Sequence, residues 1–321
     1  MSVPEDALIE ALEAGDMRTA ARLISRAESG DAALRPLLKA LHARGGHARV
    51  VGLTGPPGAG KSTLADQLVS HWRRAGLRVA ILAVDPSSPL SGGAVLGDRL
   101  RMGRHDADTG VFIRSMAARG MLGGLARATA DALIVLDAMR WDIILLETVG
   151  VGQSEVDIRQ HAACVVLLQT PVTGDTVQAA KAGVLEIADV LAVNKYDAEG
   201  GPRMVSALQE MLGRRPAHGQ PGQWQPAVVP TVATTDTGVD ALVRAIEARF
   251  DFLAAHPAVH RALRARQLQR LALAMAGETL AQRLRNRLGP GGADGGLLDE
   301  VLARREEPQA LVAALLGADP A

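Results

Sequence analysis

Apolar residues recur at helical spacing through the first part of the chain. Leu8, Ile9 and Leu12 share one face, Leu23, Ile24 and Ala27 another, and Leu34, Leu37, Leu38 and Leu41 a third, so 5–44 is predicted to be helical. Gly15 and Asp16 read as a stop followed by an N-cap, and Gly45-Gly46 closes the segment. From residue 49 the period changes. Short β-branched runs at 49–54, 78–84, 111–114, 142–147, 164–169, 189–194 and 227–232 alternate with helical stretches. This alternation predicts an α/β fold with a mostly parallel central sheet flanked by helices, and ligands at the carboxyl ends of its strands. After about residue 257 the strand signal stops. His260 to Leu288 is one long helical pattern, with Leu263, Gln267 and Leu271 on its apolar stripe, and Gly289-Pro-Gly-Gly292 ends it ahead of a helical tail at 296–316. The predicted organisation is an N-terminal helical segment, 1–45, a sheet domain, 46–256, and a C-terminal helical extension, 257–321. That extension needs a surface to pack on, either its own domain or a second subunit. Gly213–Gln225 is polar with Pro and Gly and is predicted to be a surface loop.

Charge narrows the partners. The 35 basic and 35 acidic side chains balance, so no global field favours nucleic acid or an anionic membrane. The single cysteine, Cys164, lies in an apolar run, where a thiol acts as a small hydrophobe and no intramolecular disulfide can form. The acid-rich first 25 residues resemble neither a secretory signal nor a transit peptide, and no apolar run approaches the roughly 20 residues that span a bilayer. A cytoplasmic protein is expected.

One stretch changes the picture most. Gly55, Pro56, Pro57, Gly58, Ala59, Gly60, Lys61 and Ser62 spell G-x-x-x-x-G-K-S between a strand pattern and the helix-like run that begins at Thr63. Glycines there let backbone N–H groups point at phosphate oxygens, and the helix N-terminus adds its partial positive charge. Lys61 is placed to reach the β- and γ-phosphates and Ser62 to bind magnesium (Mg2+). A glycine-rich turn before an amphipathic helix is the plainer alternative, and the strand–loop–helix context argues against it. The second motif, Asn194-Lys195-Tyr196-Asp197, stands at a strand end. A carboxylate at Asp197 can accept from the N1–H and exocyclic amine of guanine, whereas adenine offers an acceptor at N1. GTP and GDP, rather than ATP, are the expected ligands, with Asn194 pinning the loop and the Lys195 stem lying along the base. A third stretch, Asp142 to Glu155, ends a buried strand at Glu147, and Gly150 follows. Glu147 can hold a magnesium-bound water and the Gly150 N–H can sense the γ-phosphate, the arrangement of a switch loop.

Asp85, in Asp85-Pro-Ser-Ser88, and Asp98 are further acids able to gather at the magnesium with Glu147. Arg99, Arg101 and Arg104 are either transition-state charge partners or a solvated helix face. Val151 follows Gly150 where many small GTPases place a water-orienting glutamine, and Gln153 lies further on. Slow intrinsic hydrolysis is therefore expected, accelerated when a partner completes the site; a supplied arginine can add roughly 10³ to 10⁵.

The combination GLTGPPGAGKSTL, AVDPSSP, GGAVLGDRLRM, VFIRSMAARGMLGGLA, ETVGVGQSE and GVLEIADVLAVNKYD resembles the MeaB/ArgK family of P-loop GTPases from about residue 15 to 275. The resemblance implies a P-loop NTPase fold and a metallochaperone-class GTPase that serves an adenosylcobalamin-dependent acyl-CoA mutase, typically methylmalonyl-CoA mutase. It implies gating of cofactor loading from the cobalamin adenosyltransferase, protection of the mutase, and a homodimer formed through the C-terminal helices. Magnesium and catalytic positions fall on Lys61, Ser62, Asp85, Asp98 and Glu147, and guanine-binding positions on Asn194, Lys195 and Asp197. A mobile segment that signals to the mutase corresponds to Thr170–Lys181. Where a serine-alanine pair often supports guanine O6, this chain has Val232-Ala233-Thr234, so that contact is expected from backbone N–H groups at Ala233 and Thr234. Three rival readings fit the residues less well. A small-molecule kinase has no reason to carry Asn-Lys-x-Asp. A nickel-inserting GTPase usually offers clustered ligands, whereas the eight histidines here are scattered. A cobalamin-binding module would carry Asp-x-His-x-x-Gly, and the nearest run is Gly103-Arg104-His105.

Overall fold

The computed structural model describes residues 4–86, 103–105, 107–118, 124–148, 158–171, 184–214, 222–288 and 295–310. The chain starts with three helices, α1 (Glu5–Glu13), α2 (Met17–Glu28) and α3 (Arg35–His42). The predicted stop and cap between the first two are realised: Gly15 is left-handed at φ 84, and the Asp16 carboxylate accepts the Arg18 N–H at 2.9 Å and the Thr19 hydroxyl at 2.6 Å.

Seven strands follow: β1 (Arg49–Thr54), β2 (Val79–Pro86), β3 (Val111–Ala118), β4 (Ile143–Thr148), β5 (Cys164–Gln169), β6 (Val190–Val193) and β7 (Ala227–Pro230). They form one parallel sheet in the order β3-β2-β4-β1-β5-β6-β7. Burial on both faces explains why β4 and β5 are apolar along their length rather than alternating. The Cys164 thiol is fully buried in β5, and that burial pushes its pKa well up. Strands β2 and β3 run past the expected ends at 84 and 114, paired from Val79↔Val111 to Pro86↔Ala118. Arg114, on this edge strand, donates to Glu28 at 2.6 Å and to Ser25 at 2.9 Å on α2.

Helices α4 (Lys61–Arg74) and α7 (Val239–Ala255) cover one face of the sheet around Trp72. On the other face, α5 (Gly124–Ala138) and α6 (Gly201–Gly213) contribute to a second core that also holds Trp141. Helices α1 to α3 join that second core, so Leu12, Ile24 and Leu41 are buried with the sheet residues Leu82 and Ile144. An ion pair between Arg35 and the buried Asp131 ties α3 to α5. The C-terminal part is α8 (Pro257–Leu288), which begins earlier than the apolar stripe because Pro257 is suited to the first helical turn. A further helix, α9 (Gly295–Leu302), follows it.

Candidate functional site

The phosphate loop connects the central strand β1 to α4. Gly60 caps α4 from the left-handed region at φ 93, and a Cβ there would lie 2.5 Å from the Asn194 amide nitrogen. Only glycine allows that approach. No side chain caps the helix, so its first N–H groups are left for an anion. The Lys61 ammonium is buried and donates to the carbonyls of Gly55 at 2.8 Å and Pro56 at 3.0 Å, folded over the loop it is expected to serve.

Beside this loop, the register Leu53↔Glu147 brings the end of β4 to the end of β1. The Ser62 hydroxyl donates to Glu147 Oε1 at 3.0 Å, and Thr148 donates to Thr54 at 3.0 Å just behind. Glu147 is buried. A hydroxyl and a carboxylate converging at a phosphate loop are hard oxygen donors, the set that suits magnesium when phosphates and waters complete the shell. Among the described residues no three His, Cys, Asp or Glu side chains come together, and Ser62 and Glu147 are the described donors that meet at the loop. Asp85 stands on β2 two residues beyond Ala83, the partner of Glu147, and its side chain lies outside the described residues. Asp98, Gly150, Val151, Gln153, Arg99, Arg101 and most of Thr170–Lys181 also lie outside them. Arg104 is described, and it is bound to α4: its Nε donates to Asp66 at 2.7 Å.

The second half of the site comes from β6 and β7. Asn194, buried at the end of β6, donates to the Ala59 carbonyl of the phosphate loop at 2.7 Å. Its Oδ1 accepts from the Ala233 N–H at 3.0 Å and the Thr231 hydroxyl at 3.3 Å. Lys195 takes a left-handed φ of 55 and stretches its ammonium to the Gly58 carbonyl at 2.9 Å. Two residues of Asn-Lys-x-Asp thus fasten directly to the phosphate loop. Asp197 is exposed and has no hydrogen bond or ion pair among the described residues, so its carboxylate is presented outward. The Ala233 N–H is taken by Asn194, which leaves the Thr234 N–H as the open donor of the pair.

Residues that sequence reasoning missed stand behind this loop. Gln67, His71 and Arg74 of α4 contact the 233–236 turn, and Thr231 contacts Asn194. Their signal was present as polar residues at i, i+4 and i+7 on the helix that starts at the phosphate loop. The same spacing also describes a solvated face.

Three comparisons bear on this arrangement. Residues 20–288 match the profile of a family described as methylmalonyl-CoA mutase-associated GTPase MeaB. A putative GTPase of Pyrococcus horikoshii is 50% identical over 250 residues, covering 78% of this chain and 79% of that protein. The mouse mitochondrial methylmalonic aciduria type A homolog is 40% identical over 196 residues, 59% of this chain and 46% of that protein. Among solved structures, a crystal structure of a LAO/AO transport system kinase superposes with a TM-score of 0.71 at 26% identity, covering 99% of each chain.

Proposed function

The chain belongs to the MeaB family of methylmalonyl-CoA mutase-associated GTPases, and from that premise we propose that it binds and slowly hydrolyses GTP as a cytoplasmic chaperone of an adenosylcobalamin-dependent acyl-CoA mutase. Methylmalonyl-CoA mutase is the proposed client, with the cobalamin adenosyltransferase as the source of the cofactor whose loading is gated. The observation that carries the nucleotide part is the pair of bonds from Asn194 to Ala59 and from Lys195 to Gly58, which holds a base-reading motif against a phosphate loop.

In this reading the phosphate loop and the first turn of α4 cradle the α- and β-phosphates, and Lys61 exchanges its two carbonyl partners for β- and γ-phosphate oxygens. Asp197 accepts from the guanine N1–H and 2-amine, and Thr234 donates to O6. Ser62 and Glu147 are the described residues that would hold magnesium, with Asp85 and Asp98 proposed beside them; the ion would supply charge neutralisation for the transferred phosphoryl group. Gly150 is proposed to report the γ-phosphate, and Val151 in place of a glutamine is the reason for slow turnover. The family description and the mouse relative's name support the mutase as client. The exposed leucines Leu268, Leu273 and Leu280 along α8 support a homodimer in which a second copy covers that helix.

Binding of GDP, GTP and ADP to the purified protein and to Lys61→Ala, followed by single-turnover hydrolysis with and without methylmalonyl-CoA mutase, tests the reading. Guanine nucleotides should bind at least tenfold tighter than ADP, Lys61→Ala should lose at least about tenfold in GTP affinity, and the mutase should raise the rate. Equal affinity for ADP would sink the nucleotide assignment. Absence of mutase binding in every nucleotide state would sink the client.

A further inference from the structure

Helix α4 serves more than the phosphate loop, because three of its side chains reach the turn that would meet the base. Gln67 Nε2 donates to the Ala233 carbonyl at 3.0 Å. His71 Nε2 lies 2.8 Å from Asp236 Oδ1, and Arg74 Nη2 donates to Asp236 Oδ2 at 3.4 Å. Asp236 takes the left-handed φ of 59, so the turn bends at the residue those two side chains hold.

The Ala233 carbonyl and the Thr234 N–H belong to one planar peptide unit and, in the trans form, point in opposite directions. Fixing the carbonyl toward α4 therefore aims the Thr234 N–H away from α4. The preceding peptide is fixed independently, through the Ala233 N–H bonded to Asn194 at 3.0 Å. Gln67 is itself oriented: its Oε1 faces Arg104 Nη2 at 3.5 Å, and Arg104 is anchored on Asp66, which leaves the amide nitrogen toward Ala233.

We propose that Gln67 is a specificity-positioning residue: through the Ala233–Thr234 peptide it aims the N–H that recognises the 6-oxo group of guanine, and His71 and Arg74 brace the turn through Asp236. The helix whose first turn faces the phosphates thereby also sets the base-reading donor. This deepens the guanine assignment proposed above and rests on it.

The test compares GDP, IDP, ADP and inorganic tripolyphosphate by titration calorimetry with the full chain, Gln67→Glu, Gln67→Met and His71→Ala/Arg74→Ala. Gln67→Glu keeps the shape of the side chain but turns an acceptor toward the Ala233 carbonyl; Gln67→Met removes the donor without adding charge. Both 6-oxo nucleotides should weaken about tenfold in each Gln67 variant and several-fold in the double variant. ADP and tripolyphosphate, which lack the 6-oxo group, should be unchanged. Asp197→Ala separates the two readers of the base, because it should weaken GDP more than IDP, which lacks the 2-amine. Unchanged GDP and IDP affinity in both folded Gln67 variants, or an equal loss for tripolyphosphate, overturns the proposal. An unaltered protein with no preference for GDP over ADP removes the guanine assignment and the positioning role with it.

Discussion

Asp189, just before β6, gathers more of the molecule than any neighbour in the chain announces. Its carboxylate accepts the Val165 N–H at 2.9 Å and pairs with Arg159 and with Arg249, the latter at 3.1 Å. Arg249 in turn lies 5.3 Å from the Trp224 ring centroid, and the Trp224 indole donates to the Asp189 carbonyl at 2.8 Å. Asp189 and Arg249 are both buried, and burial lowers the guanidinium's pKa against the pull of Asp189. Removing the carboxylate leaves two guanidinium groups without their anion in a desolvated place. Asp189→Ala is therefore expected to cost about 3–5 kcal/mol, read as a lower urea midpoint; a loss under 1 kcal/mol would contradict it. Nothing in the linear pattern marked this aspartate, which read as the first residue of a strand. Asn194 and Lys195, a few residues on, were legible because their spacing with Asp197 is local. What they hold, Ala59 and Gly58, was not.

Among the elements, the long helix α8 shows how one residue can be legible in place and opaque in purpose. Gln267 falls on the apolar stripe with Leu263 and Leu271, an odd position for an amide. Its Nε2 donates to the carbonyls of Arg159 at 3.0 Å and Ala162 at 2.8 Å, at the turn Ile158–Gln160 and just after it. In that same turn region, His161 is surrounded closely enough that burial pushes its pKa down to about 4. The amide thus satisfies carbonyls at a place where an apolar residue would leave them without a donor. Gln267→Leu keeps the stripe apolar yet is expected to loosen the first half of α8 by about 1–3 kcal/mol, seen as faster amide exchange there than in α7. Exchange unchanged by the substitution would show that apolar packing alone docks the helix. Helices α1 to α3 teach a related lesson. Their faces and cap were readable from spacing, whereas their sharing of a core with the sheet depends on contacts to α5 such as the Arg35–Asp131 pair.

At the scale of the whole molecule, α8 exposes Leu273 at 73% and, two turns on along the same face, Leu280 at 41%, while Leu268 at 58% stands roughly 120° or more around the helix from them. Leu273→Glu is expected to shift the proposed dimer to monomer in sedimentation velocity while leaving GDP affinity unaltered, since α8 starts beyond the last residue of the base site. A variant that sediments like the unaltered protein would remove α8 from the interface. The sequence by itself determined the alternation of seven strands with helices, the phosphate loop and the guanine motif, because periodicity and short-range spacing carry that information along the chain. Tertiary structure decided the order β3-β2-β4-β1-β5-β6-β7, the meeting of Ser62 with Glu147, and the orientation of the Thr234 donor by Gln67. Those outcomes join residues far apart in sequence, and such contacts are selected by packing and by the need to satisfy buried polar groups, which no local pattern encodes.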